Sequence, residues 1–367
     1  MPDLHEWLRR VESLRPLVET HAAECDRMRR LPQPVADGIV ANRLCRPWIP
    51  RQFDGEELDL LDSLRVFEAA ARVDGAFGWA VTIGVGGALF APLLREATAR
   101  EIYTPADALI AGSGTPSGEA AVEPGGYRVR GRWKYASGAH QATWFTASCR
   151  VTQDGSPVLD ANGEPLVRAV AVPRDAVRIH ETWDTLGMRG TGSHDIEMDC
   201  FVPEAHTFDA FGEPSLPGPL YRFPFLSTAE ASFASVALGV GAHFLELFGE
   251  LAATKQTRDG VVLGSHAVVA TAIAEATVAL ESARLAFFAA VERAWATTTA
   301  GEAVSADQAD AVRHTAVFAS QTAVGVSDRL YAFAGMSPLA MGSALGRAWR
   351  DLHTVSQHVL LSPLGWG

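Results

Sequence analysis

The chain is 367 residues long, 48% hydrophobic and 20% charged, which is beyond the size at which a single core keeps growing and asks for two or three packed layers or domains. A formal net charge of -12 repels polyanions, so nucleic acid is excluded as an expected partner and any anionic ligand has to be held by a local basic patch. Four cysteines, Cys25, Cys45, Cys149 and Cys200, stand far apart with no paired spacing, which fits neither a zinc cage nor a disulfide framework and points to a reducing, cytoplasmic compartment.

In chain order, LHEWLRRVESLRPLVETHAAECDRMRR and LDLLDSLRVFEAAARV place apolar residues three and four apart, the spacing of one helical face. Breaks are expected at Pro32, Pro34, Pro47, Pro50 and Gly55. The charged N-terminal stretch has neither the apolar run nor the cleavage site of a secretory signal. From Ala76 to Leu94 no residue is charged, close to the length of a membrane span. Gly78, Gly84, Gly86, Gly87 and Pro92 interrupt that run and no second span is expected, so it reads as a helix buried inside the protein, with no membrane partner. Residues 1–107 form an N-terminal helical domain.

Between 108 and 207 the texture changes to alternating segments separated by turn signals at Asp154-Gly155, Asn162-Gly163, Pro173 and the glycines of GMRGTGS. Ile196, Met198, Cys200 and Val202 alternate with Asp195, Glu197 and Asp199. In GGYRVRGRWKYASG, Tyr127, Val129, Gly131, Trp133 and Tyr135 alternate with Arg128, Arg130, Arg132 and Lys134, so a strand here buries a mostly aromatic face and presents a cationic one. This is a central β domain.

Residues 208–367 return to helix after a proline-rich passage. SFASVALGVGAHFLELFGELAA, HAVVATAIAEATVALESARLAFFAAVERAWA and ADQADAVRHTAVFASQTAVGVSDRLYAFAG each exceed the usual globular helix, and ALGRAWRDLHTVSQHVL closes the chain, which suggests a C-terminal four-helix bundle. The fold class is α+β in the order helical, β, helical.

That order, together with DGAFGWA (74–80), GSGTPSGEA (112–120), GGYRVRGRWKYASG, GMRGTGSHDIEMDCFVPE (187–204) and RDLHTVSQHV (350–359), resembles the acyl-CoA dehydrogenase superfamily, and within it the branch of two-component, group D flavin-dependent monooxygenases. The resemblance implies a homotetramer, with flavin between the β domain and the C-terminal bundle and part of the site supplied by a neighbouring subunit. It also implies a separate NAD(P)H:flavin reductase and O2 as co-substrate. Fold does not fix the reaction, so the choice within the superfamily rests on residues.

An acyl-CoA dehydrogenase needs a carboxylate that takes the proton alpha to the thioester. The C-terminal stretch GMSPLAMGSALGRAWRDLHTVSQHV contains no glutamate, and its one carboxylate, Asp351, lies four residues after Arg347, the spacing of a helical ion pair. Glu230, on the first bundle helix, is the remaining candidate for such a base. An oxygenase instead needs reduced flavin and O2 to form a C4a-hydroperoxide that hydroxyls and an imidazole can hold and protonate. The resemblance places Ser137 against the flavin and Ser113 near the substrate, and the spacing of RDLHTVSQH matches the branch's catalytic histidine at His358. On a continuous helix the rival His353 points about 140° away from His358.

Trp79, Trp133, Arg189, Thr191, Ser193, Arg258 and Arg350 are expected to support the cofactor, with Trp133 flanking the isoalloxazine and Arg258 reaching its phosphate. The cationic face of residues 128–134 meets flavin phosphates, protein carboxylates or solvent. The expected activity is hydroxylation of a small or polycyclic aromatic substrate with reduced FMN or FAD. The alternatives are an FAD-dependent acyl-CoA dehydrogenase and an N-oxygenase of an amine.

Overall fold

The computed structural model describes residues 3–366, with side chains for 3–364. Several helices begin where the sequence supplies a side-chain acceptor. Asp3 accepts from Glu6 N–H at the start of α1 (Leu4–Ser13), and Asp59 from Asp62 N–H at the start of α4 (Leu60–Val73). Between them lie α2 (Arg15–Met28) and α3 (Gln33–Ala41), separated at Pro32 as the proline spacing requires.

Asp74 alone separates α4 from α5 (Gly75–Gly86), and its carboxylate caps Ala76 and Phe77 N–H. The two helices cross at Gly78, where a Cβ would lie 2.4 Å from the Ala71 Cα, so only glycine permits that approach. A 3-10 stretch, Gly87–Leu93, leads to α6 (Glu96–Tyr103). Arg46, fully buried, donates to the carbonyls of Phe53, Asp54, Tyr103 and Pro105 and ties the proline-rich loop to the entrance of the sheet.

The sheet comprises β1 (Ile110–Glu123), β2 (Gly126–Ala136), β3 (Trp144–Gln153), β4 (Ser156–Pro157), β5 (Val167–Pro173), β6 (Val177–His180), β7 (His194–Pro203) and β8 (Thr207–Phe208). Its order is β6-β7-β2-β1-β3-β5-β8, with β4 beside β3, and β1 and β3 are its parallel pair. Its inner face closes on its own core of Val129, Trp133, Phe145, Ala147 and Ile196. On the outer face, Ile110, Ala169 and Ala171 pack under the helices.

The period of two in β2 holds from Tyr127 to Trp133 and then fails. Trp133 pairs with Ile196 but Ala136 pairs with His194, so β2 spends three steps where β7 spends two. Tyr135 absorbs the extra residue at φ 66° and is two-thirds exposed, not buried with the other rings as its parity predicts. The cationic side resolves to protein carboxylates: Arg128 and Arg130 pair with Asp199, and Arg132 with Asp195.

After α7 (Pro219–Arg222), the long helices α8 (Phe225–Thr254), α9 (Ala267–Thr299) and α10 (Ala306–Ala334) run 30, 33 and 29 residues, followed by α11 (Ala344–Val355). α10 opens on a capping box between Ser305 and Gln308. Two segments, Gly75–Leu93 and Phe225–Thr254, meet the length and composition of a bilayer span, one more than the sequence reading expects, and 67% of each such window is buried within the protein.

Candidate active site

α5 and the start of α8 lie across the outer face of β1, β3 and β5 and leave a cavity of about 230 Å3. Its floor is Gly112, Thr146, Ser148 and Ala169, with Ser113 at the β1 side, and its roof includes Thr82, Ile83, Phe90, Phe225, Thr228, Ser232 and Phe233. No acidic or basic side chain lines it among the described residues. Glu230, the remaining candidate for a dehydrogenase base, turns away from this lining on α8. Burial pushes it up to about 7, partly offset by Arg313 of α10.

Beside the cavity, the bulge at Tyr135 turns Ser137 away from the sheet core. Ala136 takes the inward place, and Ser137 meets α5 instead. Trp79 Nε1–H donates to Ser137 Oγ at 2.9 Å; Ser137 and Ser193 hydroxyls lie 2.7 Å apart, Ser193 and Thr191 2.6 Å apart, and Thr191 reaches the Met188 carbonyl at 2.8 Å. An indole can only donate and a carbonyl only accept. The four donors and four acceptors are therefore all satisfied in one direction, from Trp79 through Ser137, Ser193 and Thr191 to Met188.

His358 approaches the same place from the C-terminus. α11 stops at Val355, so the helical angle between His353 and His358 does not apply: His358 caps the next 3-10 turn, its Nδ1 accepting Leu360 N–H at 3.2 Å. That fixes the neutral tautomer with the proton on Nε2, which has no protein partner among the described residues. Its ring lies 4.4 Å from Phe233 and 5.8 Å from Trp79, and Phe233 stacks on Trp79 at 4.7 Å. Burial against these rings lowers His358 to about 4. The ring is therefore favoured in its neutral form, with a donor at Nε2. His353 belongs elsewhere, packed on Trp349 and bonded to Asp328 at 2.9 Å.

A buried charge hub holds the glycine-rich turn and α11 in place. Arg350 pairs with Asp26 at 3.2 Å and donates to the Leu186 carbonyl, while Arg189 donates to the Asp26 and Thr185 carbonyls and to Asp184. Both arginines donate to protein acceptors and position the turn that carries Thr191 and Ser193. Arg347 pairs with Asp74 at 3.3 Å, not with Asp351 as the helical spacing predicts, because α11 packs against the capped start of α5. Asp351 instead accepts the Met188 N–H, and burial, followed by the neighbouring Asp74, raises it far above the usual carboxylate range.

Trp133 is likewise corrected as a flavin contact, since it is fully buried in the sheet core with its Nε1–H on the Ser148 carbonyl. Arg258 stands on an exposed loop at the opposite end of α8 from Phe233. A second cluster joins His140, Glu181 and His194. His194 Nδ1 accepts Trp183 N–H, so its Nε2 keeps the proton and faces Glu181 at 3.1 Å, the reverse of the tautomer a metal-bound histidine needs. The cluster reads as a clasp between the ends of β2 and β7 that carry Ser137 and Ser193.

Sequence reasoning missed Phe233, Thr146 and Ser148. Phe233 sits in a helical run of small residues and carries no motif. Thr146 and Ser148 alternate with Phe145, Ala147 and Cys149, a polar-apolar period of two that marks them as one face of β3. Trp79, Phe233 and His358 offer flat apolar surface, and the hydroxyl chain beside them offers hydrogen-bonding groups at one edge. That donor set fits a planar, heteroatom-bearing ring such as isoalloxazine.

Residues 11–102 match the acyl-CoA dehydrogenase N-terminal domain family and residues 231–363 the acyl-CoA dehydrogenase C-terminal domain family. The chain is 32% identical over 343 residues to an indole-3-acetate monooxygenase of Pseudomonas putida, covering 92% of this chain and 86% of the relative. It is 27% identical over 368 residues to the flavin-dependent monooxygenase oxygenase subunit HsaA of Rhodococcus jostii strain RHA1, covering 97% and 94%. Among solved structures, XiaF from Streptomyces sp. in complex with FADH2 and glycerol superposes with a TM-score of 0.89 at 25% identity, over 98% of this chain and 92% of that one. With a base-free cavity beside a neutral histidine, and with these relatives, the chain belongs to the flavin-dependent monooxygenases of the acyl-CoA dehydrogenase superfamily.

Proposed function

We propose that this protein is the oxygenase component that takes reduced FMN or FAD from a separate NAD(P)H:flavin reductase and hydroxylates a small aromatic substrate with O2. The observation that carries the reading is the cavity lining: without a carboxylate it has no base for thioester oxidation, while neutral hydrogen-bonding groups surround its edge. When bound, reduced flavin activates O2 and supplies the electrons for oxygen transfer.

The residues of the chain do the rest. Trp79, Phe233 and His358 give the ring a dry apolar wall, and the cavity roof keeps water from the substrate. Ser137 is held as acceptor from Trp79, and turning its one proton from Ser193 toward the ring makes it a donor at no cost to the Trp79 bond. His358 keeps its proton on Nε2 throughout the neutral range and can present it to the oxygen being transferred.

A homotetramer also belongs to this reading. Val268, Val278 and Leu285 of α9, Phe318 of α10 and Met336, Leu339 and Met341 of the following loop are all exposed apolar side chains in one protomer. Arg258 then meets flavin phosphate from a neighbouring subunit. A reducing, cytoplasmic setting suits its four free cysteines.

The test supplies the protein with a flavin reductase, NADH, FMN, 18O2 and a panel of one- and two-ring aromatics. One 18O atom per hydroxylated product is expected. Hydrogen peroxide as the sole fate of O2 across the panel, or anaerobic bleaching of bound FAD by an acyl-CoA, would overturn the reading.

A further inference from the structure

Hydroxyl groups in the cavity fall into two kinds. Those of the roof are already used: Thr82 donates to the Gly78 carbonyl, Thr228 to Pro224 and Ser232 to Thr228, each bonding back one helical turn. Those of the sheet side have no hydrogen-bond partner among the described residues: Ser113, partly exposed on β1, and Thr146 and Ser148 on β3, both more than nine-tenths buried. Neither β3 hydroxyl oxygen is itself sealed off, so both open onto the cavity and are free to meet whatever occupies it.

Their placement is built in. Thr146 and Ser148 are two apart on β3 and share its outer face, because Phe145, Ala147 and Cys149 turn into the sheet core. Gly112 sits opposite Thr146 on β1, where any Cβ would come within 2.3 Å of the Thr146 hydroxyl oxygen. Ala169 sits opposite Ser148 on β5. Small residues on both flanks hold the two hydroxyls open to the cavity.

We infer that Thr146 and Ser148 form the polar subsite of the substrate pocket. They recognise an uncharged aromatic bearing one hydrogen-bonding group, such as a ring N–H or a phenolic O–H. A hydroxyl both donates and accepts, so either polarity is served. A carboxylate is not: no cation lines the cavity, and a buried charge without a partner is strongly disfavoured. This specificity rests on the oxygenase reading for its consequence, but not for its test, which uses binding alone.

The test is calorimetric titration of the full-length protein, without flavin, with indole, 1-methylindole and indole-3-acetate. We expect indole to bind at least tenfold more tightly than indole-3-acetate. Thr146→Val should weaken indole about fivefold to tenfold, the worth of one hydrogen bond, and leave 1-methylindole within twofold. Ser148→Ala, which deletes only the hydroxyl, provides the second variant, and thermal unfolding of both confirms the fold. Equal losses for indole and 1-methylindole in both variants, no loss in either, no indole binding, or preference for the carboxylate would each overturn the subsite. Failure of 18O incorporation with intact selective binding would instead count against the oxygenase chemistry alone.

Discussion

His358 combines an unpartnered Nε2–H with burial that lowers its proton affinity and favours the neutral ring. His358→Ala should lower hydroxylated product at least tenfold while O2 is still consumed and released as hydrogen peroxide, with flavin affinity changed less than threefold. In the wild type, product yield should show no titration of this group above about pH 5. The sign follows from linkage: the unfolded chain binds the proton near its ordinary value, the folded one only near 4. Its contribution to stability is therefore full above about pH 6.5 and is lost as pH falls through the folded value. Ser137→Ala tests the neighbouring chain. It leaves the buried Trp79 N–H without an acceptor, which should cost about 1–3 kcal/mol of stability in thermal unfolding. Peroxide release per NADH should rise together with that loss, whereas a merely structural serine would lower stability and leave the ratio unchanged.

At the scale of elements, the site is held by contacts that join segments far apart in sequence. Asp26 of α2, through Arg189 and Arg350, and Asp351 of α11 converge on the turn from Leu186 to Thr191, while Asp74 at the α4–α5 junction holds α11 through Arg347. Asp351→Asn keeps an acceptor for Met188 N–H and should change stability by less than about 1 kcal/mol near pH 6, while Asp351→Ala should cost about 1–3 kcal/mol. Because the folded carboxyl is raised, the wild type loses stability as pH climbs above the ordinary carboxylate range. The melting temperature of the asparagine variant should overtake it increasingly toward pH 9.

This layer explains what could be read from sequence and what could not. The long bundle helices and the strand alternation were legible because each depends on local spacing, and motifs singled out Ser137, Thr191, Ser193 and His358, which the fold gathers around Trp79. Arg347 with Asp351, and Trp133, were misread. Spacing proposes a partner along the chain, and tertiary packing supplied a nearer one across it. Thr146 and Ser148 escaped notice because an unpaired hydroxyl is a property of its surroundings, which no single segment records.

On the scale of the whole molecule, exposed apolar side chains on α9, α10 and the loop after α10 are what the proposed association of copies would cover. Light scattering at micromolar concentration should report four chains. Replacing Val278 and Leu285 with glutamate should yield smaller species of unchanged helix content. Arg258→Ala should leave assembly intact and weaken flavin binding, which is the outcome required if that arginine serves a neighbour's cofactor.

The surplus residue in β2 has a consequence for anyone altering this strand. Adding one link to an extended chain rotates everything downstream by half a revolution, so Trp133 and Ser137 are delivered to opposite sides although their numbers share a parity. The phenol of Tyr135 touches little beyond the edge of Trp183. What matters at that slot is arithmetic, not identity: a replacement there leaves the serine's address unchanged, whereas a deletion would send it into the interior of the sheet and strip the indole of its acceptor.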